Sequence, residues 1–440
     1  MLLRPMSSAP PPADEGTFLD RLLSVRREER AQVARAVGAF FCLMFAVFLL
    51  QPLRDAMGLS GGARNLKYLW VFTLLGTMLA SLAFSALSSR VGRKTFLSRS
   101  WRAVALIWLV FLPLTRLVDG ENAVWVARSF YVVHAVSNVF LVSLFWALAV
   151  DRFESEQSKR LFGLVAVGGT LGAVLGSAVT GLVAKYSLAI WMILPAALML
   201  EAAVRLALAQ SRGVGDTAFE RKALGGNALE GMALVFERPY LAGIAVFTLV
   251  FGIAQTFLTL QQNFIVEASY PVKAQREEYF GFAQSATQSL TLVVQIFFTG
   301  QIMKRVGVLG ALLILPLIGV ASFIALYVAH SRETAALAVV TVCLVLWKGL
   351  SHATQRPARE ALYVPTERVE KYKAKNFTDT FAFRGGDLAG AFGFDSLSLA
   401  AAALVGVPLS VVWGALGVWL AKRQARLVLQ RSQDAAASPD

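Results

Sequence analysis

Cysteine is almost absent: Cys42 and Cys343 are the only two in 440 residues, and both lie inside apolar runs. Two thiols at such positions build no disulfide framework and no CxxC redox or zinc motif; they read as small packing hydrophobes. Histidine is as scarce, with three residues and none at ligand spacing, so no metal site and no cofactor is expected. Charge is thin at 16% of residues, against about 25% in soluble domains. No glycine-rich phosphate loop precedes a helix and no nucleophile elbow occurs, which argues against an enzyme. The polar intervals are too short for an ATPase domain, leaving gradients or exchange as the energy source. The amino-terminal segment Met1 to Ser24 is proline-rich with Asp14 and Glu15, without the basic-then-apolar order of a signal peptide.

What the chain has instead is hydrophobicity: 56% of its residues are apolar and the mean hydropathy is +0.59. That composition belongs to the membrane class. Apolar segments run at about 36–56, 67–88, 102–118, 123–150, 160–184, 187–208, 240–265, 279–303, 307–330, 334–362, 377–403 and 406–421. The expectation is an all-α membrane protein of about twelve spans, each of roughly 20 residues or more. The formal charge of +14 sits in short clusters between spans rather than in a nucleic-acid-binding stripe. Arg90/Arg93/Lys94, Lys159/Arg160, Lys304/Arg305, Lys371/Lys373/Lys375 and Lys422/Arg423/Arg426 alternate with poorer loops. The positive-inside rule then places both termini in the cytoplasm.

The longest polar interval, 209–238, divides the chain into a first half at 31–208 and a second at 239–421. Segments 1–30 and 422–440 read as cytoplasmic tails. Internal repetition agrees with that division. Arg90-Val91-Gly92 is echoed by Arg305-Val306-Gly307, and Glu154 to Phe162 by Val369 to Phe377, each 215 residues on. Parallel halves are typical of one large transporter architecture.

Ionisable residues inside spans are expensive and mark pathways or pairs. Four segments carry them. The first span ends Gln51-Pro52-Leu53-Arg54-Asp55, where Pro52 is expected to bend or end the helix and leave Arg54 near the outer boundary. An interfacial anchor is the bland alternative for Arg54. In the fourth span His134 and Asn138 share a face, and His134 reads either as a packing residue or a proton carrier. Gln284, Gln288, Thr291 and Gln295 form a polar stripe in the eighth span, suited to helix–helix hydrogen bonds or to substrate. Lys348 lies mid-span in the tenth, too deep to snorkel easily, and needs an anionic partner. Arg359 and Glu360 lie at the basic end of that span, where gating ion pairs belong.

The eleventh span is richest. Arg384 and Asp387 are an i, i+3 pair around Gly385-Gly386, and Asp395 lies two turns further without a local partner. An Arg–Asp pair that only neutralises itself competes here with a binding site.

Several stretches together resemble the bacterial branch of the ATP:ADP antiporter (nucleotide translocase) family, within the major-facilitator-like transporters. They are Pro52-Leu53-Arg54-Asp55 with Asn65-Leu66-Lys67, Ser143-Leu144-Phe145-Trp146 through Glu156-Gln157-Ser158-Lys159-Arg160-Leu161-Phe162-Gly163, Arg356-Pro357-Ala358-Arg359-Glu360, and Tyr372-Lys373-Ala374-Lys375-Asn376 through Arg384-Gly385-Gly386-Asp387. The superfamily's loop motif is partial here: Arg90, Gly92, Arg93 and Lys94 match, while Ser85 and Ser89 replace its glycine and aspartate. The resemblance implies a bundle of about twelve helices in two six-helix halves and exchange of nucleotides. The known exchangers rely on intramembrane acids and a lysine where this chain has His134, Thr259 and Met57.

The expectation is a monomeric secondary transporter of a small anionic, nucleotide-like or phosphorylated metabolite, with the bilayer as its surroundings and protons or a counter-substrate as partners. Arg54, Lys67, Lys348, Arg384, Gln284 and Gln288 are its substrate-binding candidates. His134, Asp387, Asp395, Arg359 and Glu360 are its coupling or gating candidates. A proton-coupled carrier of another small molecule and a transporter-derived scaffold are the rival readings.

Overall fold

In the computed structural model, residues 25–88, 93–153, 155–209, 228–297, 299–331, 336–351, 354–366, 374–375 and 377–437 are described. They are helical almost throughout, without a strand among them. The first half comprises α1 (Arg30–Gly58), α2 (Leu66–Ser88), α3 (Arg93–Leu117), α4 (Glu121–Arg152), α5 (Ser155–Ala184) and α6 (Ile193–Ala209). A short helix α7 (Ala228–Glu237) follows. The second half comprises α8 (Pro239–Ser269), α9 (Lys273–Phe297), α10 (Thr299–Ser331), α11 (Ala336–Ser351), α12 (Gln355–Leu362), α13 (Phe383–Asp395) and α14 (Leu399–Ala437). A π-helical turn, Thr378–Ala382, runs into α13.

Among the described residues eight helices are by themselves long and apolar enough to cross a membrane, and α11 with α12 passes the same test as a pair bent by 41°. The remaining elements, α2, α9 and the π turn with α13, complete twelve rods. The polar stripe of α9 and the charges of α13 lower their hydropathy.

Two boundaries differ from the pattern of apolar residues. Pro52 does not end α1, which continues to Gly58 and carries Arg54 within it. Proline costs the one hydrogen bond its missing N–H would have made, and surrounding helices hold the rest in place. The eleventh span stops at Asp395 instead of 403, because Ser398 starts a new helix by accepting the Ala401 N–H at 3.2 Å. The alanine-rich run that follows conceals that turn from hydropathy.

The buried apolar residues form two cores. One holds only first-half residues, from Val33 to Ala207, with Trp101, Trp108, Phe130 and Phe145 fully enclosed. The other runs from Val235 to Ala421 around Trp347, Trp413 and Phe251, whose rings lie 5.4–6.0 Å apart. Six first-half residues join this second core: Ala56, Leu59, Ala63, Leu66, Leu69 and Tyr131. They mark the seam between halves, at the end of the bundle opposite the termini, hereafter the distal end.

Glycine sets the closest approaches. On α5, a Cβ at Gly172 would overlap the carbonyl oxygen of Phe41 on α1, and one at Gly176 would overlap that of Phe45. Small residues at every fourth position let two backbones touch. Gly172→Ala is expected to cost about 1–3 kcal/mol by overpacking, read as a lower midpoint of thermal unfolding in detergent. An unchanged midpoint would show that α5 can step away from α1 freely.

Candidate functional site

A cavity of about 260 Å³ lies where the two halves meet. Its charged lining comes from three helices: Arg54 of α1, Lys348 of α11, and Arg384 and Asp387 of α13. Trp70 and Thr73 of α2, Tyr131 and Asn138 of α4, and Thr256 and Thr259 of α8 complete the polar and aromatic wall. On α4 the lining positions 131, 135 and 138 recur at helical spacing, so one face of that helix looks into the cavity.

Each cation is held differently. The Arg54 Nε donates to Asp55 Oδ1 at 2.9 Å, and its guanidinium lies 4.7 Å from the centre of the Tyr131 ring. The Tyr131 hydroxyl accepts the indole N–H of Trp70 at 2.8 Å, which fixes the ring under the arginine. Arg384 Nη1 donates to Asp387 Oδ2 at 3.3 Å, while Asp387 Oδ1 accepts from the Thr256 hydroxyl at 3.3 Å. Lys348 makes no ion pair among the described residues. Two arginines paired with two aspartates, plus one unpaired ammonium, leave the cavity with an excess of positive charge.

Gly386 belongs to the scaffold of this site: a Cβ there would overlap the carbonyl oxygen of Leu249 on α8, so the glycine lets α13 press against α8. Gly385, beside it, meets nothing within 4 Å. The arginine between Phe383 and these glycines is thereby carried at a close helix crossing.

Lys67 and Asp395 lie elsewhere. The Lys67 ammonium donates to the Asp395 carboxylate across the two halves, and Arg64 Nε lies 3.9 Å from the same group. Asp395, without a partner on its own helix, finds one on α2. Two further bonds cross at this end: the Ala63 N–H donates to Glu267 Oε2 at 2.9 Å, and Arg276 Nη1 donates to the Leu59 carbonyl at 3.4 Å. These contacts join the two halves at the distal end. Lower down, Thr170 donates to Gln295 and Ser285 to the Val174 carbonyl, joining α5 and α9 near mid-bundle.

The other candidates do not reach the cavity. His134 is fully buried in the first-half core, Nε2 3.1 Å from the Val47 carbonyl and its ring stacked 5.6 Å from that of Trp108. Asn138 faces the cavity and His134 lies behind it, although both share a broad helical face. Gln284 and Gln288 are half-buried on α9, outside the lining, while Gln295 of the same stripe takes the bond from Thr170. Arg359 pairs with Asp379 at 3.0 Å and Lys375 with Glu360 at 2.7 Å, both within the second half and towards the terminal end. His352 and the loops at 89–92 and 367–373 lie outside the described residues.

Sequence reasoning missed Tyr131, Trp70, Thr256 and Glu267. Tyrosine and tryptophan in a span read first as packing or interface aromatics, and only the arginine stacked on one of them reveals the site. Tyr131 does lie on the same α4 stripe as Asn138, which was the available signal.

Residues 36–358 match the family profile described as Major Facilitator Superfamily. The chain is also similar to ADP,ATP carrier protein 1 of Chlamydia muridarum (strain MoPn / Nigg), 20% identical over 446 residues that cover 85% of this chain and 83% of the carrier. The same backbone course occurs in a POT family peptide transporter, with a TM-score of 0.62, 12% identity and coverage of 90% of this chain and 96% of that one. The nucleoside transporter NupG gives a TM-score of 0.57 at 12% identity, covering 90% and 99%. The similarity to nucleotide carriers agrees with the resemblance in the motifs around Arg54 and Arg384. With twelve rods, two cores and a central cavity between them, the chain belongs to the Major Facilitator Superfamily.

Proposed function

We propose that the protein is a secondary transporter that exchanges a small anionic metabolite, nucleotide-like or otherwise phosphorylated, across the membrane. The observation that carries this reading is Lys348: an ammonium within the bundle, lining a cavity beside Arg54 and Arg384, without an ion pair among the described residues. Taking a charge out of water is costly unless an opposite charge meets it. An anionic substrate supplies that charge. Relatives named as ADP,ATP carriers and a structural neighbour named as a nucleoside transporter support the nucleotide-like class. The halves at 31–208 and 239–421 act as the two moving bodies of alternating access, and the protein works as a monomer. The basic clusters support cytoplasmic termini in a bacterial inner membrane.

In this scheme Arg54, Lys348 and Arg384 bind anionic groups and Asp387 tunes Arg384. Lys67, Asp395 and Glu267 close the distal end, while Arg359 and Glu360 brace the terminal one.

The test is a thermal-shift panel of purified protein with nucleotides, sugar phosphates and carboxylates. Ligand at about 100 times its Kd stabilises the native state by roughly 2.7 kcal/mol, so a specific anion raises the midpoint clearly. No shift with any anion, together with uptake of a neutral compound that a protonophore abolishes, would replace this reading with proton-coupled transport centred on Asp387. Asp395→Asn is expected to loosen the distal end. The pair with Lys67 joins the two halves there, so labelling of a cysteine placed at Thr73 by a distal reagent should rise when it is removed. Unchanged labelling would remove Asp395 from the gate.

A further inference from the structure

A second cluster of charge sits far from the cavity, on the outward face formed by α3 and α6. Arg102 donates through Nε and Nη2 to the two Glu201 oxygens at 2.8 and 2.9 Å, and through Nη1 to the Ser98 hydroxyl at 3.0 Å. Arg205 Nε donates to Glu201 Oε1 at 3.0 Å. The Arg205 side chain is nevertheless 77% exposed, with both terminal nitrogens unengaged among the described residues. Arg99, also exposed, precedes Arg102 by one turn.

The surroundings of this cluster are apolar. Arg102 heads a stripe on α3 that continues through Leu106, Val110 and Leu114, all exposed. On α6 the stripe Leu194 and Leu198 leads to Glu201 and Arg205. These leucines face the hydrocarbon of the bilayer. The spans run Thr95–Leu117 and Ala189–Ala209. At 1.5 Å per residue, Arg102 and Glu201 therefore lie about 10 and 12 Å inside the terminal end. Those spans, roughly 32–35 Å long, match a hydrocarbon core of about 30 Å. The Arg102–Glu201 pair therefore lies within the hydrocarbon, while Arg99 and Arg205, each about 6 Å inside the same end, lie near its edge, where an arginine can snorkel to the phosphates.

Packing gives no reason for a carboxylate among lipid-facing leucines. The carboxylate holds two guanidinium groups side by side, and their sum remains positive. We propose that this face is a binding site for an anionic phospholipid of the leaflet on the terminal side. The phosphate is taken by the free nitrogens of Arg205 beside Arg102, and an acyl chain lies along the Leu106–Val110 and Leu194–Leu198 stripes. Arginine pockets between helices at this level suit lipid phosphates.

The test titrates the full-length protein in neutral detergent with phosphatidylglycerol, phosphatidylcholine or water-soluble glycerol phosphate, reading the thermal midpoint. Phosphatidylglycerol should raise it, and the other two should not. Arg99→Gln with Arg205→Gln keeps the Arg102–Glu201 pair and should weaken apparent phosphatidylglycerol affinity about 30-fold, given the usual attraction of each arginine to anionic lipid. Glu201→Gln, an independent check, should strengthen it. Equal shifts with both lipids, equal protection by glycerol phosphate, or an unaltered double variant would overturn the assignment. So would a dimer that forms without lipid and is lost in the double variant, since the face would then bind a second copy.

Discussion

Lys348→Ala is expected to lower exchange at least 100-fold while leaving the protein folded and as stable as the parent, or more so. The two effects have one cause. Lys348 is the cavity cation without an ion pair among the described residues. Asp55, whose charge reaches it, is already paired with Arg54, so removing Lys348 relieves a desolvation cost and leaves no orphaned acid behind. The remaining pairs, Arg54 with Asp55 and Arg384 with Asp387, neutralise each other and offer an anion little net attraction. Stability gained with function lost is the pattern of a site that carries its own destabilisation. A thermal melt and a counterflow assay on the same preparation check both halves of the statement. Parent-like exchange in the alanine variant would remove Lys348 from the site. The unpaired ammonium also bears on mode: an empty carrier must turn over with that charge unmet, so transit in the loaded state is favoured in both directions.

Gly281→Val is expected to slow transport roughly 10- to 100-fold without touching the cavity. Gly281 of α9 and Gly181 of α5 meet backbone to backbone across the two halves, and a Cβ on Gly281 would overlap the Gly181 Cα and nitrogen. No side-chain terminus is available there to swing aside. The branched side chain must push the helices apart, at an overpacking cost of about 1–3 kcal/mol that falls only on the distally closed arrangement. That penalty shifts a two-state population by about 5- to 160-fold. Gly281→Ala should be intermediate. The cysteine probe at Thr73 reads the population directly, and parent-like labelling together with parent-like rates in the valine variant would show that α5 and α9 do not need this contact.

Much of the fold was legible because hydrocarbon imposes a simple demand: long apolar runs separated by charge, with basic clusters alternating. The turns were less legible. Ser396-Leu397-Ser398 breaks two helices within a run that hydropathy alone reads as continuous, since a cap needs one well-placed hydroxyl rather than a change of composition. In the site, Arg54, Lys348, Arg384 and Asp387 were recognisable as charges that hydrocarbon would not tolerate unexplained. Their convergence was not, because it depends on the packing of three helices far apart in sequence. The place of His134 was not legible for a related reason: one turn on α4 separates a residue facing the cavity from one facing the core, and polarity does not tell them apart. Gln284 and Gln288 were drawn in by a stripe whose last member, Gln295, bonds to Thr170 instead.

The π turn at Thr378–Ala382 adds a consequence of its own. Such a turn stores one residue more than an α-helix needs over the same course. Releasing that residue would rotate everything before it by about 100° relative to everything after it, the share of one residue in a turn of 3.6. Asp379, paired with Arg359, lies inside the turn, and Arg384 lies immediately after it. The angular phase between the Arg359–Asp379 pair and the cation in the cavity is therefore set by this single turn, and a regular α-helix over the same residues would present Arg384 on a different face.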